Sequence, residues 1–134
     1  MFKLIVAGSR SFNDYNLLKD KLDRLLSNKD LSTVHIISGT ARGADQLGER
    51  YAKERGCQLE RFPANWSRYG KSAGYERNTR MARHADAAVI FWDGESRGAL
   101  HMANTMENLN KPFRGVLFTP APTPAQPQQL ALGF

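Results

Sequence analysis

A single cysteine, Cys57, stands in the 134-residue chain. That excludes an internal disulfide framework and any zinc site built from cysteines. Long apolar runs are missing too: the longest, Leu4–Ala7 and Ala87–Trp92, are far too short to cross a membrane. The opening Met1–Gly8 lacks a basic leader and runs into a Gly-Ser-Arg turn, so it reads as a strand and not as a signal peptide. His35, His84 and His101 include no pair at the spacing of two ligands on one helical turn, which leaves no metal site. No nucleophile–base arrangement stands out either. Asn65-Trp66-Ser67 matches a glycosylation sequon, but nothing else points to secretion. These absences describe a cytoplasmic protein without a membrane partner.

What is present suits one core in one domain: 41% apolar and 24% charged residues. Every charge lies between Lys3 and Arg114. Between Asn65 and His84, Arg68, Lys71, Arg77, Arg80 and Arg83 face one acid, Glu76, and carry +4 of the formal +6. Such a segment either steers an anionic partner, nucleic acid or phosphorylated small molecule, or is a solvated helix face. Thr119–Phe134 holds four of the six prolines, three glutamines and no charge. It reads as an extended tail, with Leu130, Leu132 and Phe134 available to dock on a neighbour.

Residues 1–118 alternate short apolar runs with amphipathic stretches, the pattern of β-α-β units. Strands are expected at Lys3–Ala7, Thr33–Ser38, Gln58–Phe62, Ala87–Trp92 and Phe113–Phe118. Helices are expected after Asn13 or Asp14, over Ala44–Arg55, over about Gly74–His84 and over Gly98–Leu109, with Ala64–Ala73 as a long loop. The fold class is therefore α/β: one Rossmann-like three-layer domain with a mostly parallel sheet of about five strands. In such sheets a ligand sits beyond the carboxyl ends of the strands, so the loops there are the ones to read.

Three of those loops are glycine-rich. Gly8-Ser9-Arg10-Ser11 follows the first strand; it is either a structural turn or an anion contact through its amides, Ser9 and the Arg10 fork. Ser38-Gly39-Thr40-Ala41-Arg42-Gly43-Ala44-Asp45 opens a helix whose N-terminus favours a phosphate. Its spacing is neither a Walker A loop nor a dinucleotide fingerprint. Asp45 either supports the first helical turn or bonds a ribose or a neighbouring loop. Asp93-Gly94-Glu95-Ser96-Arg97-Gly98 opens a third helix. Together the three suggest a crevice for a nucleotide-like ligand. Asn78, Met81, Ala82 and Ala85 form a buried stripe, and Arg77 and Asn78 can instead point at the ligand. Glu76 and Arg80 can pair four residues apart. Trp66 and Tyr69 can stack on a base or cover the core.

In this order and spacing, the motifs Val6-Ala7-Gly8-Ser9-Arg10, Ser38 to Asp45, Tyr75-Glu76-Arg77-Asn78 with Met81, Ala85-Asp86 and Asp93 to Gly98 resemble the SLOG superfamily of Rossmann-like nucleotide-ligand domains. The likeness covers roughly residues 3–116 and is closest to the YspA-like, YpsA-related branch found in bacteria and phages. It implies a nucleotide-derived ligand related to NAD or ADP-ribose; together with the loop reading, the residues expected to hold it are Gly8, Ser9, Arg10, Ser38, Gly39, Thr40, Arg42, Gly43, Asp45, Trp66, Arg77, Asn78, Asp93, Gly94, Ser96, Arg97 and Gly98. Members diverge: Lonely Guy enzymes cleave the N-glycosidic bond of nucleoside monophosphates, and DprA proteins bind single-stranded DNA. The Lonely Guy arginine corresponds to Arg77, but the threonine and glutamate of their Gly-Gly-x-Gly-Thr-x-x-Glu motif are Ala99 and Met102 here. Methionine cannot act as a general base. A hydrolase would use Arg77 to orient phosphate, with Glu76, Asp93 or Glu95 standing in for the missing glutamate. The expectation is therefore a sensor or sequestering protein for a nucleotide-derived small molecule, with a nucleotide hydrolase and a single-stranded nucleic-acid module as alternatives. Self-association stays open.

Overall fold

The computed structural model describes residues 1–120; the proposed docking residues Leu130, Leu132 and Phe134 lie outside them. In chain order the elements are β1 (Phe2–Gly8), α1 (Tyr15–Leu25), β2 (Val34–Ser38), α2 (Ala44–Arg55), β3 (Gln58–Arg61), α3 (Trp66–Tyr69), α4 (Ala73–His84), β4 (Ala87–Trp92), α5 (Arg97–Asn108) and β5 (Phe113–Leu117). All pairings in the sheet are parallel, in the order β3-β2-β1-β4-β5.

Period-two alternation along β1 divides the core. Leu4 and Val6 face α1 and α2, packing with Leu18, Leu22, Tyr51 and Ala52. Ile5 and Ala7 face α4 and α5, packing with Met81, Ala82, Met102 and Met106. Both faces of β1 are therefore buried, which is why its sequence is almost continuously apolar. Phe12 ties the β1–α1 loop down by stacking on Phe91 (centroids 4.6 Å apart) and meeting Phe118 edge-on (4.8 Å).

Two local expectations need correction. The stretch from Ala64 to Ala73 is not a plain loop: it contains α3 and a 3₁₀ turn over Gly70–Ser72. Asn65 starts α3 by accepting the Arg68 amide (3.1 Å) and the Ser67 hydroxyl (2.9 Å), a cap strong enough to organise a short turn. The second strand begins at Val34 because Leu31–Thr33 forms a 3₁₀ turn. There Asp30 accepts the Ser32 amide at 3.0 Å and its hydroxyl at 2.7 Å.

The strand order reverses beside β1. The connection leaving β1 crosses one face of the sheet and the connection leaving β4 crosses the other. A gap opens between them at the carboxyl edge, where this class of sheet places ligands.

Candidate functional site

The first loop closes on β4. A Cβ at Gly8 would overlap the Phe91 carbonyl, and would lie 2.8 Å from the Phe91 amide nitrogen. The Ser9 amide donates to Phe91 O at 2.8 Å, and Ser9 Oγ accepts the Asp93 amide at 3.0 Å. Gly8 and Ser9 thus fasten β1 to β4, while Arg10 and Ser11 remain exposed at the crevice.

The second loop uses its polar groups internally. Ser38 Oγ donates to Glu49 at 2.7 Å and accepts the Thr40 amide at 3.0 Å. The Ala41 amide donates to Asp45 Oδ2 at 3.2 Å. The Ala44 amide reaches Ser9 O at 3.4 Å, which ties the start of α2 to the first loop.

Asp45 is only 4% exposed. Burial pushes its carboxyl up to about 6, against the opposing pull of the Ala41 amide and the Arg77 charge. A raised acid holds its proton more tightly in the fold than in the unfolded chain. Asp45 therefore favours the folded state below about pH 4, and that contribution, roughly 3 kcal/mol, is lost as pH rises to about 6. Asp45→Asn is expected to remove this slope, as measured by urea unfolding at a series of pH values. An unchanged slope in the variant would contradict the assignment.

Arg77 enters from α4 and is 9% exposed. Its Nε donates to Asn78 Oδ1 at 3.1 Å and its Nη1 to the Gly39 carbonyl. Gly39 lies in the gap between this guanidinium and Asp45: a Cβ there would come within 2.7 Å of Arg77 Nη1 and 2.8 Å of Asp45 Oδ2. Among the described residues, Nη2 has no acceptor and no carboxylate forms a direct ion pair with Arg77. Desolvation accordingly pulls the guanidinium below its ordinary pKa. Asn78 Nδ2 donates to Gly98 O at 3.2 Å and to His101 Nδ1 at 3.3 Å. The His101 ring stacks on Tyr75 with centroids 4.3 Å apart, and burial lowers its pKa.

Asp93 organises the third loop. Its Oδ1 accepts the amides of Glu95 (2.9 Å) and Ser96 (2.8 Å), which hold its pKa below the usual carboxylate range. Ser96 caps α5. The next two amides, of Arg97 and Gly98, make no hydrogen bond among the described residues.

These groups surround one crevice of about 530 Å³, a size suited to a small-molecule ligand. Of the residues expected at the site, Gly8, Arg10, Asp45, Trp66, Arg77, Asn78, Asp93, Ser96 and Gly98 line it. Ser9, Ser38, Gly39, Thr40, Arg42, Gly43, Gly94 and Arg97 do not: they hold the loops in place or face outward. Glu76 is turned away, with Arg80 Nε 2.9 Å from its Oε2. Tyr69 lies in an adjoining trough with Arg61, Phe62, Arg68 and Arg80, which Trp66 separates from the crevice. Two trough cations are already matched, Arg80 by Glu76 and Arg61 by Glu49, so the basic segment is less positive than its count suggests. Sequence reasoning gave no ligand contact to Lys71, Gly74 or Tyr75, which line the crevice, while Ser11 and Met102 line it as their loop and motif positions suggest. Gly74, Arg77, Asn78 and Met81 recur at helical spacing, which was the available signal for that wall. No cluster of metal-ligating side chains occurs among the described residues.

A doubly wound parallel sheet with its crevice at the switch point defines a Rossmann-like α/β domain. The fold is shared by the X-ray structure of TM1055, a structural-genomics target (TM-score 0.61, 18% identity, 84% of this chain and 72% of that one). It is also shared by DNA processing protein A from Helicobacter pylori, described for its single-stranded DNA binding mode (TM-score 0.62, 17% identity, 98% and 73%). At sequence level, the model of the YspA, cpYpsA-related SLOG family matches residues 2–69. The Gene 61 protein of Mycobacterium phage D29 is 34% identical over 107 residues, covering 75% of this chain and 85% of the phage protein. The chain belongs to the YspA, cpYpsA-related SLOG family.

Proposed function

We propose that the crevice binds a phosphate-bearing, nucleotide-derived small molecule, such as a nucleoside diphosphate or an NAD- or ADP-ribose-like compound, and that the protein acts as a sensor or sequestering domain. One observation carries this reading: Arg77 is a buried cation with a free Nη2 and no carboxylate in direct contact, and its desolvation outweighs the more distant attraction of Asp45. A buried charge is costly unless paired, and an anionic ligand supplies the missing partner. The unbonded amide of Gly98 in the first turn of α5 offers a phosphate contact. Arg10 and Lys71 add charge at the rim. Trp66, 53% exposed, and Tyr75, also exposed, supply flat surfaces for a base. Family membership supports the same class of ligand, and a cytoplasmic setting suits the single free thiol.

Binding without turnover is favoured by Met102, whose apolar side chain lies in the crevice wall where the related hydrolases carry glutamate. Single-stranded nucleic acid is the second reading, favoured by Trp66 lying between the crevice and the Arg68-bearing trough and by the fold shared with the Helicobacter pylori protein. A thermal-shift panel of AMP, ADP, GTP, NAD, ADP-ribose, cyclic ADP-ribose and short single-stranded DNA, followed by mass spectrometry of any hit, separates the readings. A stabilising small molecule recovered intact is expected. A cleaved product would make the protein a hydrolase, and stabilisation by DNA alone, weakening steeply with salt, would move the site to nucleic acid.

A further inference from the structure

The two edges of the sheet differ. At one edge β3 carries Gln58, Glu60 and Arg61 and runs toward Pro63, the charged dressing that discourages strand addition. At the other, β5 reads Phe-Arg-Gly-Val-Leu, with no acid, lysine, proline or bulge. Phe113 is 39% and Leu117 72% exposed. The nearest lysine is turned away: Lys111 Nζ donates to the carbonyls of Ala82, Arg83 and Ala85 at 2.8–2.9 Å.

The ladder to β4 fixes which backbone groups are free. Ala88 donates to Pro112 O at 3.2 Å and Phe118 to Trp92 O at 3.0 Å, with Val89 beside Arg114 and Phe91 beside Val116. Residues 112, 114, 116 and 118 therefore bond inward, and the N–H and C=O groups of Phe113, Gly115 and Leu117 point outward.

We infer that this edge pairs antiparallel with β5 of a second copy of the chain, about a two-fold axis at Gly115, joining the two sheets into one. In that register Gly115 faces Gly115 and Phe113 faces Leu117. Every outward N–H and C=O of the three residues then meets a partner at the spacing of hydrogen-bonded antiparallel pairs. The apolar side chains of Phe113 and Leu117 fall on one face, directly opposite each other. Arg114, the one unengaged charge on the strand, faces Val116 and not its own copy, so the register avoids a like-charge clash. Because the strands run antiparallel, the two crevices open at opposite ends of the joined sheet and both stay accessible. The contact is short, so the dimer is a weak one, formed reversibly with concentration.

Sedimentation of the full chain from about 1 μM to about 1 mM tests this, together with amide exchange at Phe113, Gly115 and Leu117. Mass is expected to rise to that of a dimer while those three amides become protected. Gly115→Pro removes only an outward donor, which an edge tolerates, and Leu117→Lys charges the paired face. Each is expected to shift the monomer–dimer midpoint at least tenfold toward monomer without changing the melting of the monomer. A wild type that stays monomeric throughout would overturn the inference, whether the amides are open or are covered by the chain's own residues 121–134. A dimer indifferent to both substitutions would overturn it as well.

Discussion

Arg77→Met is expected to weaken binding of a nucleotide-derived anion by about 30-fold or more. Truncating one partner of a buried, hydrogen-bonded charge pair typically costs about 2–5 kcal/mol. The effect is large because Arg77 is buried and retains an open Nη2. The unliganded fold should lose little. Removing the guanidinium leaves the Gly39 carbonyl and Asn78 Oδ1 without their donor, a cost of about 1–3 kcal/mol for a buried acceptor left unpaired. It also removes a desolvated cation lacking a direct ion pair, which offsets that cost. Calorimetric titration of wild type and variant, with melting curves of both, checks the two halves. Wild-type affinity in a folded variant would mean that the ligand does not meet this guanidinium.

Gly8→Ala should damage the fold itself. The added Cβ would overlap the Phe91 carbonyl and lie 2.8 Å from its amide nitrogen. These are backbone atoms of the neighbouring central strand, which cannot rotate aside as a side chain can. The β1–β4 pairing must open, and with it the Ser9 bonds to Phe91 and Asp93. A loss of about 3–5 kcal/mol is expected, with melting lowered by roughly 10–20 °C. Gly98→Ala is the control, since a Cβ there meets nothing within 4 Å, and its melting should be no lower than that of the wild type. Equal melting of Gly8→Ala and wild type would show that the loop is not fastened to β4 in this way.

Much of this was legible in the residues. The apolar runs of β1, β2 and β4 mark strands buried on both faces, and the glycine-rich stretches after them converge on one sheet edge. Individual roles were harder to read, because they depend on partners distant in the chain. Ser9 looks like a phosphate donor until Asp93 is brought onto its hydroxyl, and Ser38 until Glu49 arrives from α2. Asp45 has the spacing of a helix-start residue; its burial beside Arg77 depends on α4 lying across the β2 loop. Glu76 and Arg77 are adjacent in sequence, yet helical geometry sends one to a surface pair and the other into the crevice. The α3 turn was missed because its signal, the Asn65 cap, sits in a stretch lacking helical periodicity.

The most direct measurement is a nuclear magnetic resonance titration of the labelled protein with the best small-molecule hit. Saturable shifts are expected at the Arg77 side-chain Nε and at the Gly98 amide, with the ligand unchanged at the end. Shifts confined to the Arg61, Arg68 and Tyr69 trough, with Arg77 silent, would contradict the proposed site.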